Sequence, residues 1–154
     1  MLPPFLEALA DGPVVLDGAM GTQLYERGIF INRSLEEVCL GKPELVRAVH
    51  EEYIRAGAQV IETHTFAASR PKLARYGLAD KLELINRRAV ELAIEAADGR
   101  VYVAGAMGPT GRAPAVMTDE EVEGLREVFR EQAQLLIDGG VDLIIIETFR
   151  LLSE

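Results

Sequence analysis

One sequence pattern occurs twice in this chain and limits the folds that the chain can adopt. An apolar run ends in acidic and hydroxyl residues at positions 60–66 and again at positions 143–149. The glycine-rich segment at positions 18–22 recurs at positions 105–110, at nearly the same offset. Near-continuous apolar runs are typical of parallel strands buried on both faces. The doubled pattern therefore predicts a parallel α/β sheet with polar groups gathered where its strands end.

Helix and strand signals alternate along the chain, as a parallel α/β sheet requires. We predict strands at residues 14–16, around Val60, at residues 101–104 and at residues ending in Glu147. Between them we predict helices over residues 43–57, 79–98 and 118–140, since proline, capping-box and glycine signals mark their ends. Each connection is long enough for a right-handed parallel crossover.

Length and charge exclude several classes of protein. A chain of 154 residues can bury a core as one domain but is too short for a complete (β/α)8 barrel, which takes about 250 residues. The formal net charge of −9 argues against nucleic acid as a partner. No apolar run approaches the length of a membrane span, and we expect a cytoplasmic protein without a membrane partner.

Acidic residues at three predicted strand ends are the best candidates for chemistry. Asp17, Glu62 and Glu147 would converge on one mouth of a parallel sheet, together with nearby threonines and His64. They could bind a cationic amino group or act as general acid and base; the alternative is that they cap backbone N–H groups. The glycine-rich turns at residues 18–21 and 105–111 either let backbone approach a ligand or are simply tight turns.

Other reactive side chains give weaker signals. Arg70 and Arg112 follow predicted strands, where they could pair with the acids or hold a substrate carboxylate, although solvated surface arginines are commoner. Cys39, His50 and His64 could supply three ligands to a catalytic metal, but their spacing matches no metal-binding pattern. For Cys39 and His50 a structural role is the favoured interpretation.

Six motifs in order and spacing resemble the homocysteine S-methyltransferases, a family that includes the homocysteine module of cobalamin-dependent methionine synthase and the fused homocysteine methyltransferase and methylenetetrahydrofolate reductase. The resemblance covers nearly the whole chain. The motifs are Asp17-Gly18-Ala19-Met20-Gly21-Thr22, Pro43-Glu44-Leu45-Val46 through His50 to Ala56-Gly57-Ala58, Glu62-Thr63-His64-Thr65-Phe66, Tyr76-Gly77-Leu78, Gly105-Ala106-Met107-Gly108-Pro109 and Ile146-Glu147-Thr148-Phe149.

The resemblance implies a fold, a substrate and a set of binding residues. Residues 1–154 would form the N-terminal part, about four βα units, of a (β/α)8 TIM barrel domain that is incomplete at its C-terminus. The family substrate is homocysteine, bound as a thiolate on zinc, and the product is methionine. By resemblance, the residues that bind substrate are Asp17, Gly18, Ala19, Met20, Gly21, Glu62, Thr63, His64, Thr65, Phe66 and Glu147.

The resemblance also implies what these residues do not supply. The family binds zinc through one cysteine and a later Cys-Cys pair, at positions beyond Glu154, so we expect no metal ligand and no catalytic residue here, and little or no turnover by the chain alone. Cobalamin or folate would bind modules outside these residues. The expected partners are homocysteine and the remaining half of the barrel.

A second hypothesis belongs to a different class. Two copies of the chain could close into an eight-stranded barrel that acts without metal and without catalysis, either binding an amino acid or an anion or serving as an assembly module. The doubled motif favours this hypothesis, since a half-barrel that repeats itself can pair by symmetry.

Overall fold

A parallel sheet of three strands forms the centre of the molecule, and the order of its strands is their order along the chain. The computed structural model describes residues 2–30, 32–111, 117–151 and 154. The strands are β1 (Val60–Glu62), β2 (Tyr102–Met107) and β3 (Leu143–Ile146). Val60 is in register with Tyr102, and Ala104 is in register with Leu143. The α/β class predicted from the sequence is therefore confirmed.

Eight helical segments connect and flank the strands in the described ranges. None of them is long and apolar enough to cross a bilayer. They are α1 (Phe5–Ala10), α2 (Met20–Glu26), α3 (Val38–Gly41), α4 (Pro43–Ala56), α5 (Arg70–Ala74), a 3-10 helix (Ala79–Lys81), α6 (Leu82–Ala97) and α7 (Asp119–Gly139).

The long helices begin and end where their local signals predict. Pro43 lies in the first turn of α4, and Gly57 ends that helix with a φ of 107°. The Thr118 hydroxyl accepts a hydrogen bond from the backbone N–H of Glu121, and the Glu121 side chain accepts one from the backbone N–H of Thr118. The helix predicted over residues 79–98 is observed as the 3-10 helix followed by α6.

The strand predicted at residues 14–16 is wrong in extent. The structure contains only an isolated parallel bridge between Leu16 and Val60, supported by hydrogen bonds from the backbone N–H of Gln59 to Val15 O (2.8 Å) and from Asp17 N–H to Val60 O (3.0 Å). The backbone N–H of Val15 donates instead to the side chain of Gln59. Because the N–H of Val15 is taken by a side chain, the segment makes too few ladder bonds with β1 to count as a strand.

The two faces of the sheet are covered differently. On one face, Ile61 and Val103 pack against α6 and the end of α4, and Met107 packs against Val90 of α6 and Leu136 of α7. On the other face, α1 covers only the beginning of the strands, where the Phe5 and Tyr102 rings meet edge to face at 5.3 Å. On this second face α1 leaves the carboxyl ends of the strands uncovered, so a ligand could reach them.

Candidate functional site

A cavity of about 470 Å³ lies at the carboxyl ends of the strands. Of the residues predicted to bind substrate, only Thr65 does not line it. The predicted lining residues are Asp17, Gly18, Ala19, Met20, Gly21, Glu62, Thr63, His64, Phe66 and Glu147. The cavity is also lined by Thr148, one of the threonines singled out beside the acids, and by Ala106 of the second glycine-rich turn, whereas Leu35 and Glu36 are lining residues that sequence reasoning missed.

Strand alternation explains why acids reach the cavity. Side chains two residues apart on a strand point to the same face. Val60 and Leu143 belong to the cluster under α1, so Glu62 and Glu147, which follow them by two and four residues, point to that same face at the open end. On β2 the corresponding side chain is Ala106, whose small size leaves room for a ligand.

The carboxylates are crowded and partly removed from water. Burial raises the pKa of Asp17 to about 6, and the charge of Glu147 adds to this effect, although the backbone N–H of Glu62 donates to Asp17 Oδ2 at 3.0 Å and opposes it. Burial raises the pKa of Glu62 to about 7, with further repulsion from Glu147 and Asp17. No lysine or arginine of the described residues lines this cavity. A bound cation would relieve the repulsion, so the cavity favours a cationic ligand.

The turn after β1, residues 63–68, is held by hydrogen bonds on its strand side. The hydroxyl of Thr65 donates to Ala106 O at 2.7 Å and lies 2.7 Å from the hydroxyl of Thr63, which accepts from the backbone N–H of Ala106 at 3.1 Å. Thr65 is fully buried by these contacts. Its side chain therefore fixes the turn against β2 and does not reach the cavity.

His64 lies at the wall of the cavity, where its imidazole is bonded to a backbone carbonyl. Its Nε2 lies 2.9 Å from Leu35 O, and because a carbonyl oxygen can only accept, Nε2 carries the proton. Burial lowers the pKa of His64, although the charge of Glu36 and the bond to Leu35 act in the opposite direction.

Glu36 is a buried acid that sequence reasoning missed. Its carboxylate accepts from the Ser34 hydroxyl at 2.9 Å and from the backbone N–H of Ala67 at 3.2 Å, which joins the loop before α3 to the turn after β1. Its neighbour Glu37 instead pairs with Arg33 and Lys81 at the surface. Nothing in the local sequence distinguishes the two glutamates, because the partner that buries Glu36 is far along the chain.

A glycine in each of the two glycine-rich turns lies close to a different aromatic residue. At residue 18 a Cβ would lie 2.9 Å from the Tyr53 hydroxyl, which itself donates to Ala19 O at 3.1 Å, so this turn is fitted against α4 while lining the cavity. At residue 108 a Cβ would overlap the Phe66 ring and lie 2.7 Å from Phe66 O. Gly108 thus permits close packing against the turn after β1.

Arg70 lies away from the cavity, and Arg112 lies outside the described residues. The Arg70 guanidinium pairs with Glu131 of α7, with its Nε 2.9 Å from Glu131 Oε2. Both residues line a separate depression of about 520 Å³ on the helical side of the molecule. The pKa of Arg70 is raised by this partner. Arg70 is therefore a surface ion-pair residue.

The side chains suited to metals do not form a metal site. Cys39 is fully buried in an apolar cluster with Leu24, Val46 and Val49, and burial raises the pKa of its thiol to about 12. His50 is also fully buried, and burial lowers its pKa to about 3. Within the described ranges, no three or more histidine, cysteine or acidic side chains are grouped so as to hold a metal ion. These residues do not fit a zinc centre.

An α/β chain with a cavity of carboxylates at its parallel strand ends has the features of a small-molecule enzyme. The profile of the homocysteine S-methyltransferase family matches residues 14–154, and the chain belongs to this family. It is 33% identical over 158 aligned positions to the methionine synthase of Mycobacterium leprae (strain TN) and 31% identical over 158 positions to that of Mycobacterium tuberculosis (strain ATCC 25618 / H37Rv).

Solved structures agree with the family assignment. The homocysteine methyltransferase MmuM from Escherichia coli in its metallated form superposes with a TM-score of 0.84 at 31% sequence identity, over 98% of this chain. The chain spans 59% of that solved chain and 13% of the two methionine synthases, in each of which 93% of this chain is matched.

Proposed function

We propose that this chain holds the amino-acid part of homocysteine in a protein that transfers a methyl group to the homocysteine sulfur and releases methionine. The observation that carries this proposal is the crowding of three carboxylates, from Asp17, Glu62 and Glu147, around one cavity. The residues predicted to bind substrate take this role in the proposal, except that Thr65 acts by fixing the turn behind them.

The α-ammonium of homocysteine suits such a cavity. An ammonium group has three N–H donors and no acceptor, and charge-assisted hydrogen bonds to carboxylates are about twice as strong as neutral ones. Without a cation, the charged forms of Asp17 and Glu62 are destabilised by burial and by repulsion from neighbouring carboxylates, as their raised pKa values indicate. Binding an ammonium recovers part of that free energy, so it favours an amino acid over an uncharged thiol.

The chemistry at sulfur needs a group that the described residues do not hold. In the family, zinc keeps the homocysteine thiol deprotonated at neutral pH. We propose that residues outside this chain supply the zinc ligands and that cobalamin or folate, where the methyl donor requires it, binds other modules. The residues of this chain would bind and orient the amino acid, and the chain alone would show little or no turnover.

The open edges of the sheet support a barrel completed by further strands. Among the described residues β3 pairs on one side only, and Ile146 at its end is 69% exposed. At the other edge, Val15 is 56% exposed. Further βα units of the same protein would cover both edges; the alternative is a second copy of the chain. Sedimentation separates the two, because a stable symmetric dimer supports the second copy.

A comparison of two ligands tests the proposal. 4-Mercaptobutanoate has the carboxylate and thiol of homocysteine but lacks its amino group. Under reducing conditions, calorimetry with the 154-residue chain should show saturable binding of L-homocysteine and binding of the analogue at least about tenfold weaker. Asp17→Asn and Glu62→Gln should remove this preference, whereas Glu26→Gln, on the exposed surface of α2, should keep it. Equal affinities for the two ligands would contradict the proposal.

A further inference from the structure

We propose that Gln132 of α7 and Asn86 of α6 are positioning residues for the cavity. They hold the backbone carbonyls of Thr65 and Ala68, and through that turn they fix where His64 stands. What the cavity binds rests on the proposed function, but the positioning itself can be tested without a ligand.

Both amide side chains are fully buried and reach the turn from the helical side. Gln132 Nε2 donates to Thr65 O at 2.8 Å. Asn86 Nδ2 donates to Ala68 O and to Leu82 O, each at 2.9 Å. The two amides also contact each other, with Gln132 Nε2 3.4 Å from Asn86 Oδ1. Two helices thus hold one turn through a single polar contact network.

Packing alone does not explain a glutamine at this position. Gln132 Oε1 is buried and has no hydrogen-bond partner among the described residues. Leaving such an atom unpaired costs free energy that an apolar side chain of the same size would avoid. The neighbouring buried position on α7, Leu136, is apolar and packs against Val90 and Met107. An apolar residue at position 132 could make neither the hydrogen bond to Thr65 O nor the longer contact with Asn86 Oδ1.

The contacts of the turn connect Gln132 to the cavity wall. The hydroxyls of Thr63 and Thr65 are hydrogen-bonded to the backbone of β2, and the ring of His64 between them is hydrogen-bonded to Leu35 O. Gln132 contacts the same turn from the helical side, where its amide donates to the backbone carbonyl of Thr65. Without the amide, the strand contacts still hold the two threonines, but Thr65 O keeps only the hydrogen bond from the backbone N–H of Ala68 at 2.9 Å, so the peptide between Thr65 and Phe66 is held less firmly. The orientation of the imidazole and of Phe66 then becomes less defined.

The test replaces Gln132 by methionine, which has similar length and volume and no donor. The matched control is Gln134→Met, because Gln134 is exposed on the same helix and bonds only to Asp138 in the described structure. In the free chain, we expect the ring ¹⁵N and ¹H resonances of His64 to shift in Gln132→Met and to stay in place in Gln134→Met. The dissociation constant for L-homocysteine should rise about fivefold to tenfold, the equivalent of one lost hydrogen bond, with no loss of melting temperature.

A second variant reaches the turn from the other helix. Asn86→Leu removes the donor to Ala68 O, and we expect it to shift the same His64 resonances if the two amides act on one turn. Unchanged His64 resonances together with unchanged homocysteine affinity in Gln132→Met would overturn the proposal. If the wild-type chain fails to bind homocysteine, the proposed function is wrong, and the His64 resonances of the variants still decide the positioning role.

Discussion

The pattern that occurs twice in the sequence ends in Glu62-Thr63-His64-Thr65-Phe66 in its first copy and in Glu147-Thr148-Phe149 in its second, and the two copies are held in very different ways. In the first, at residues 62–66, Thr63 and Thr65 are buried, and their hydroxyl and backbone groups bond to β2. In the second, at residues 147–149, Thr148 is exposed and has a φ of 64°, a conformation that is unfavourable for a β-branched residue. Phe149 contacts the ring of Phe129 at 5.6 Å.

The difference follows from where each copy lies in the sheet. β1 lies between β2 and the bridge at Leu16, so the turn after it has neighbours on both sides. β3 lies at an edge of the described sheet. Both glutamates nevertheless line the cavity, because strand alternation alone decides where they point. The motif therefore determines which side chains face the cavity, and its distant neighbours determine how firmly they are held.

The largest effect should come from filling the space beside the first copy. Gly108→Ala would overlap the Phe66 ring, and we expect a loss of about 3 kcal/mol in the free energy of unfolding, measured by chemical denaturation. Gly124→Ala is the control, because a Cβ there meets nothing within 4 Å on α7, and it should stabilise by about 0.5–1 kcal/mol. Similar effects of the two variants would contradict tight packing at Phe66.

Removing one hydroxyl from each copy compares them directly. Thr65→Val keeps the shape but leaves Ala106 O without its side-chain donor, and we expect a loss of about 2 kcal/mol. Thr148→Val on the exposed second copy should change the free energy of unfolding by less than about 0.5 kcal/mol. Equal losses, measured by urea denaturation, would show that the two copies are held alike.

The acid of the first copy should reduce stability at high pH. The pKa of Glu62 is raised from 4.5 to about 7, so the folded state binds more protons than the unfolded state between these values, and stability falls as the pH rises through this window. Glu62→Gln removes the effect. Allowing for solvent screening, we expect it to stabilise by about 1 kcal/mol at pH 8 and by much less at pH 5.

Thermal unfolding across this pH range measures the change. Glu26→Gln, on the exposed surface, should follow the wild type at every pH. A Glu62→Gln variant that is less stable than the wild type at pH 8 would mean that Glu62 is stabilised by a partner and not strained by its neighbours.

The smallest effect is expected at the edge that carries the second copy. Ile146→Lys should change the free energy of unfolding by less than about 0.5 kcal/mol, since the side chain is 69% exposed. A charge on an edge strand opposes pairing with other chains, so light scattering should show less self-association. A large loss of stability would show that Ile146 is buried by a contact at this edge.

Local signals and alternation were sufficient for much of the fold and the site. Pro43, Gly57 and the pair Thr118 and Glu121 mark helix ends through contacts within a few residues, which is why those ends are predictable. Glu62 and Glu147 could be predicted to face the cavity because each continues a strand of known direction.

The parts that could not be predicted depend on partners far along the chain. Residues 14–16 were predicted as a strand, but the number of ladder bonds depends on neighbours that the local sequence does not reveal. Arg70 forms an ion pair with Glu131 of α7, and a side chain at position 108 would overlap the Phe66 ring. In both cases the partner lies far along the chain. Glu36 and Gln132 are buried for the same reason, through contacts with the turn after β1.

The central claim is that the carboxylates of this cavity receive the ammonium group of homocysteine. The most direct measurement is the number of protons exchanged on binding, obtained by calorimetry at about pH 6.5 in two buffers of different ionisation enthalpy. A bound ammonium lowers the raised pKa values of Asp17 and Glu62, so the account predicts that protons are released and that affinity increases as the pH rises toward 8. Binding without proton release, at an affinity independent of pH, would contradict it.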